Sequence, residues 1–200
     1  MHGMRRTHHT HHTHHTQPMQ RMRRLERILD ELCDSEHYMF SGDDIHALFP
    51  DLNRAAVKAL LSRAAAAGVL TRVCHGLYLY PRAPYPRGLV LYHAAAKIRS
   101  GRFNYLSLES VLSDAGVISQ VPINWITVMS SGRSYVMRCG AYGSIEFVHT
   151  KKHPNDLAGD LRYDERIRMW RASPALALSD MRQTRRPMDL IDWSLAHELA

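Results

Sequence analysis

Residues 53–81, NRAAVKALLSRAAAAGVLTRVCHGLYLYP, decide how this chain is read. Asn53 carries a side-chain oxygen suited to capping a helix start. Val57, Leu60, Leu61 and Ala64 then recur at helical spacing, and Gly68 suits a helix end. The expected helix is about three turns long. Directly after it, apolar residues alternate on either side of His75-Gly76, which predicts a two-stranded hairpin with a tight turn that ends at Pro81.

Toward the N-terminus, HYMFS at 37–41 is short and β-prone, and Ser41 followed by Asp44 makes a capping-box start. A brief second helix is expected from there through Phe49, closed by Pro50. Earlier still, Met22, Leu25, Ile28, Leu29 and Leu32 form an apolar stripe, with Arg21, Arg23, Arg24, Glu26 and Arg27 between them. This predicts a first amphipathic helix from Met19. Three helices followed by a hairpin is the element order of a winged helix-turn-helix, assigned to residues 19–82.

Toward the C-terminus, PRAPYPRG at 81–88 holds three prolines and a glycine, so residues 83–88 are taken as a linker. Helices are expected over 89–99 and 106–114, with Gly116 as terminator. Strands are expected over 125–129, 135–139 and 145–149, with Gly132, Gly140 and Gly143 at the turns. Residues 161–200 are expected to return to helix, with Pro174 and Pro187 in first-turn positions. The fold class is α+β: an N-terminal winged helix-turn-helix followed by a mixed α/β C-terminal domain over 89–200.

The chain has 200 residues and a formal net charge of +7, which by itself would suggest an anionic partner. The excess is localised. Lys and Arg outnumber Asp and Glu five to none in residues 1–24, but are outnumbered six to eight in residues 25–86. Any DNA contact therefore depends on where a few cations sit. The tail, residues 1–18, contains THHTHHTHHT, a repeat with no apolar residues to bury, so disorder is expected and no metal site is assigned to it. Cys33, Cys74 and Cys139 are three in number, far apart and in no CxxC pair, which argues against a disulfide framework or a structural zinc. No apolar run approaches a membrane span and no signal-like apolar segment follows the basic N-terminus, so a cytoplasmic protein without a membrane partner is expected.

In a helix-turn-helix the second helix of the motif enters the major groove. Asn53, Arg54, Lys58, Ser62 and Arg63 fall on that helix, among alanines small enough to let its backbone approach DNA. Arg72 and His75 fall on the wing, where they suit phosphate or minor-groove contacts. Arg21, Arg23 and Arg24 could add to the basic face. No phosphate-loop, dinucleotide, HExxH or GxSxG motif is present, and no cofactor is expected. Glu109 and Glu146 are the carboxylates a metal-dependent nuclease would use, but Phe147-Val148 follow Glu146 where the Glu-x-Lys pattern needs lysine. Ser107 and Glu109 suit a helix cap. His149, His153, Lys151 and Lys152 are read as a solvated surface cluster, and Trp125, Phe147 and Trp193 as core or interface.

Several stretches together resemble one family. VCHGLYLY at 73–80 looks like its hairpin, FNYLSLESVLSDAGVISQVPINWITVMSSGRS at 103–134 like its most recognisable block, YGSIEFVHT at 142–150 like the following strand, and RASPALALSDM at 171–181 like a later helix motif. The family is the AbiEi-type antitoxins of type IV abortive-infection toxin-antitoxin systems, also described as predicted transcriptional regulators of viral defence. The resemblance covers roughly residues 37–185 and departs at Ala175 and Leu176, where the family usually has charge. It implies a non-enzymatic DNA-binding antitoxin whose winged domain sits on inverted repeats in its own promoter. It also implies that the C-terminal domain counteracts a nucleotidyltransferase-type toxin, with or without a direct complex. The alternatives from the residues themselves are an interaction module that counteracts a toxin without binding DNA and, more remotely, the nuclease.

Overall fold

A computed structural model describes residues 16–119 and 123–199. The expected disordered tail therefore lies outside the described residues as far as position 15. Its last three residues do not belong to it, because α1 (Thr16–Leu32) starts there and takes Pro18 into its first turn, where a missing N–H has no helical partner to lose. Leu25 and Leu29 are fully buried, whereas Leu32 in the last turn is 46% exposed, so the buried part of the apolar stripe ends at Leu29.

After β1 (Met39–Ser41), α2 (Gly42–Leu48) opens on a closed capping box. The Ser41 hydroxyl accepts the Asp44 N–H at 3.2 Å and the Asp44 carboxylate accepts the Ser41 N–H at 2.6 Å. Two N–H groups left open by the helix start are thereby satisfied. Asn53 caps α3 (Arg54–Ala66) by accepting the Ala56 N–H at 2.9 Å, and Val57, Leu60, Leu61 and Ala64 form its buried stripe. Gly68 and Gly76 both hold φ of 74°, a conformation that glycine adopts without the Cβ clash other residues meet. Gly76 turns β2 (Thr71–Cys74) into β3 (Leu77–Leu79), and the sheet order is β1-β3-β2. The first strand thus closes onto the far side of the hairpin, helped by the Tyr80 N–H donating to the Tyr38 carbonyl at 2.8 Å.

The chain divides into two compact units: one comprises residues up to Arg72 with Tyr78–Tyr85, the other Val73–Leu77 with everything from Pro86 onward. The division after Tyr85 falls inside the proline-rich segment.

The second unit contains α4 (Val90–Ile98), β4 (Asn104–Leu106), α5 (Leu108–Asp114), β5 (Trp125–Ser130), β6 (Tyr135–Arg138), β7 (Ser144–His149), β8 (Leu161–Asp164), β9 (Met169–Ala172), α6 (Pro174–Gln183) and α7 (Trp193–Leu199). Its six strands form one mixed sheet in the order β6-β7-β5-β4-β9-β8. β5 runs parallel to β7 and β4 parallel to β9, while the other neighbours are antiparallel. α4 packs on β5 and β7, and α5 packs on β5 and α6. The protein is a mixed α+β chain.

Four expectations are corrected in this unit. The segment 106–114 is not one helix: β4 precedes it, and Leu108 takes a left-handed backbone (φ 56°) where strand passes to helix. Ser107 does not cap α5 with its side chain; its hydroxyl donates to Asp180 at 2.7 Å. Residues 161–172 are not helical but form the β8–β9 hairpin, with Arg162 opposite Arg171 and Tyr163 opposite Trp170. Pro174 does stand in the first turn of α6, where Ser173 accepts the Leu176 N–H at 3.1 Å, but Pro187 starts no helix, since α7 begins only at Trp193.

Candidate nucleic-acid interface

The apolar stripe of α3 fixes which residues face outward. With Val57, Leu60, Leu61 and Ala64 inside, Arg54, Ala55, Lys58, Ala59, Ser62, Arg63 and Ala66 are all exposed and follow one another along a single face. The side chains between the cations are methyl groups or a hydroxyl, so nothing bulky keeps the helix axis from a groove. Arg72 and His75 are exposed on the hairpin, next to the buried Val73, Cys74 and Leu77.

The seven residues expected to touch DNA are not equally free. Asn53 is exposed, but its side-chain oxygen is occupied by the cap, which leaves its amide nitrogen to make contacts. Arg54 holds Asp43, at the start of α2, with Nη1 to Oδ1 at 2.7 Å. Both side chains are mostly exposed, and a pair of this kind contributes little and can be exchanged for another anion. Lys58 and Arg63 make no ion pair among the described residues and are the uncommitted cations of the face.

Arg24, which could add to the basic face, is held within the fold. Its guanidinium lies 4.6 Å from the Phe49 ring centre and bonds Asp51 at 2.9 Å. That hydrogen bond holds the Asp51 carboxyl below the usual carboxylate range. Asp30 is likewise structural. It accepts from Tyr80 and from Arg82 at 2.9 and 3.0 Å, joining α1 to the end of the hairpin. Burial, then the Asp30 hydrogen bond, pushes the Tyr80 phenol up.

In the second unit the two glutamates of the nuclease reading converge on one cation. Arg186 reaches Glu146 at 2.5 Å and Glu109 at 3.4 Å, and the Trp125 indole N–H donates to Glu146 at 3.4 Å. These carboxylates neutralise an arginine, and no metal-ligating group of three or more His, Cys, Asp or Glu occurs among the described residues.

Lys152 is not a surface lysine. It bonds the fully buried Asp180 at 2.6 Å, so α6 and the segment after β7 are joined by a charge pair that also takes the Ser107 hydroxyl. Burial and the nearby Asp180 push the Tyr105 phenol upward. Of the aromatics, Phe147 is core, but Trp193 is 38% exposed with the Arg182 guanidinium 5.6 Å from its ring centre.

Composition could not have found Asp180, Lys152 or Arg186. Each acts through a partner at least 28 residues away, a separation that only the sheet order closes. No helix among the described residues is long and apolar enough to cross a membrane. No family model matches the chain, and no curated protein matches it in sequence.

Proposed function

We propose that this protein is a cytoplasmic, DNA-binding transcriptional autorepressor and antitoxin that counteracts a nucleotidyltransferase-type toxin. In this reading residues 19–82 act as a winged helix-turn-helix and α3 lies in the major groove of inverted repeats in its own promoter. The observation that carries it is the outward face of α3, where Arg54, Lys58, Ser62 and Arg63 are all exposed and separated only by alanines. Lys58 and Arg63 would grip phosphates, Arg54 would exchange Asp43 for a base edge or phosphate, and Arg72 and His75 would reach the flanking backbone. The toxin half of the reading rests on the resemblance to AbiEi-type antitoxins, carried by residues 103–134, 142–150 and 171–181.

A gel-shift titration on the DNA upstream of the protein's own gene tests the reading. Sequence-specific binding at moderate salt is expected, with a loss of roughly tenfold or more in an Arg54→Ala, Lys58→Ala double variant. Binding that is absent, or unchanged in the variant, removes DNA from the proposal. The second reading is a module that counteracts the toxin without DNA. It draws on the Arg54–Asp43 pair and on the acidic balance of residues 25–86. Co-purification with a nucleotidyltransferase-like neighbour without any gel shift would select it.

A further inference from the structure

Between the end of α4 and the turn joining β5 to β6 lies an open cavity of about 390 Å³, lined by Arg102, Ser131, Gly132, Arg133, Ser134 and His149. None of these residues is acidic. Arg102 and Arg133 are exposed and make no ion pair among the described residues. Ser131 accepts the Phe103 N–H at 3.2 Å and Ser134 accepts the His149 N–H at 2.7 Å, so each hydroxyl keeps its own proton to donate. His149 Nδ1 faces the Gly132 carbonyl at 2.9 Å; the carbonyl can only accept, so Nδ1 carries the hydrogen and the ring orientation is set.

Beneath this lining sits a third positive charge. Arg99 is buried, with its guanidinium beside the Tyr135–Phe147 ring pair, 4.9 and 4.6 Å from the two ring centres. It donates to the Ser130 hydroxyl at 3.1 Å and the Arg133 carbonyl at 2.5 Å. Its partners among the described residues are neutral oxygens and rings, with no carboxylate. The same network fixes the loop: Ser130 donates to Asn104 at 2.7 Å, and Asn104 donates to the carbonyls of Arg99 and Arg102 at 2.7 and 2.8 Å. The cavity is therefore preorganised by a buried cation whose charge no carboxylate balances, and it is rimmed by donors.

We propose that this cavity binds a phosphomonoester, as inorganic phosphate or as the phosphate of a mononucleotide. The two exposed guanidinium groups of the lining, Arg102 and Arg133, can contact the phosphate oxygens directly, and guanidinium forks pair naturally with phosphate oxygens. The two hydroxyls supply neutral donors to the remaining oxygens. The volume lies at the small end of ligand cavities, which suits a mononucleotide better than a longer chain. The inference does not depend on the DNA-binding face, since every residue it uses lies in the second unit.

Titration calorimetry on the full chain, at constant ionic strength in chloride buffer, tests it with inorganic phosphate, adenosine monophosphate and adenosine. Saturable binding of the first two and none of adenosine is expected. An Arg102→Ala, Arg133→Ala double variant should weaken both by roughly tenfold or more with its melting temperature unchanged, because both side chains are exposed. An Arg54→Ala, Lys58→Ala variant should leave both titrations as they were, which separates this site from the DNA reading. No saturable binding at millimolar phosphate, or equal binding by the Arg102/Arg133 variant, overturns the proposal. Competition by a 5′-hydroxyl oligonucleotide as strong as by its 5′-phosphorylated form would place a backbone diester in the cavity and overturn the monoester assignment.

Discussion

Asp43 and Arg54 share one exposed contact that both shapes and masks the proposed interface. If α3 docks on DNA, the arginine must leave its carboxylate, and that carboxylate then repels nearby phosphates. Asp43→Asn keeps the size of the side chain and removes the charge. Operator affinity in a gel shift should rise by about threefold, the scale of one surface charge pair. A fall in affinity would mean that Asp43 positions Arg54 for its base rather than competing with DNA. Cys33 allows a second test at this scale. Burial, then the charges of Asp34 and Asp30, pushes its thiol up to about 11. The fold prefers the neutral thiol, so the raised value contributes stability that is complete below the unfolded value of about 8.5 and is lost as pH rises toward about 11. Alkylation of Cys33 in the native protein should be slow at pH 8, where about one thiol in a thousand is ionised, and should accelerate through pH 11. Rapid native labelling at pH 8 would show the site open to water.

At the scale of elements, the legible parts were those with punctuation. Ser41 with Asp44, Asn53, Gly68 and Gly76 each mark a boundary by a specific hydrogen bond or backbone conformation, and the structure places α2, α3 and the β2–β3 hairpin at those marks. The β8–β9 hairpin had no such mark. Its strands have four residues each, its turn reaches positive φ at Arg168 rather than at glycine or asparagine, and its charged residues mimic a solvated helix. β4 was hidden differently: three residues run into α5 without a breaker, and the change of structure falls on Leu108. The outward residues of α3 followed from its period alone. The cavity at 131–134 did not, because Arg99 and Gly132 meet only once α4 lies on the sheet. A Cβ on Gly132 would fall 1.5 Å from Arg99 Nη1, and that guanidinium is buried and held by hydrogen bonds to the Ser130 hydroxyl and the Arg133 carbonyl. Gly132→Ala should destabilise the protein by about 2 kcal/mol in urea denaturation, in the range of core overpacking. Gly101→Ala, where a Cβ meets nothing within 4 Å, is the control expected to change little. Equal behaviour of the two variants would mean that Arg99 is not fixed where the cavity needs it.

Over the whole molecule the charge of +7 divides into +2 from residues 1–15 and +5 from the rest of the chain, where several cations are committed. Arg24, Arg82, Lys152, Arg171 and Arg186 each hold a carboxylate. The cations this reading assigns to DNA in the first unit are Lys58, Arg63, Arg54 once it leaves Asp43, and Arg72 on the hairpin. About four phosphate contacts per copy give a slope of log affinity against log salt of about −3 to −4. Arg5 and Arg6 precede α1 in the sequence and add two positive charges. Because α1 begins at Thr16, the informative truncation removes residues 1–15 and leaves the first turn of that helix whole. Operator binding by the truncated chain should keep its preference over unrelated DNA, and its salt slope should fall by no more than about 2, the share of two arginines. If sequence preference disappeared with those fifteen residues, recognition would belong to bulk charge, and the exposed face of α3 would be an ordinary solvated helix surface.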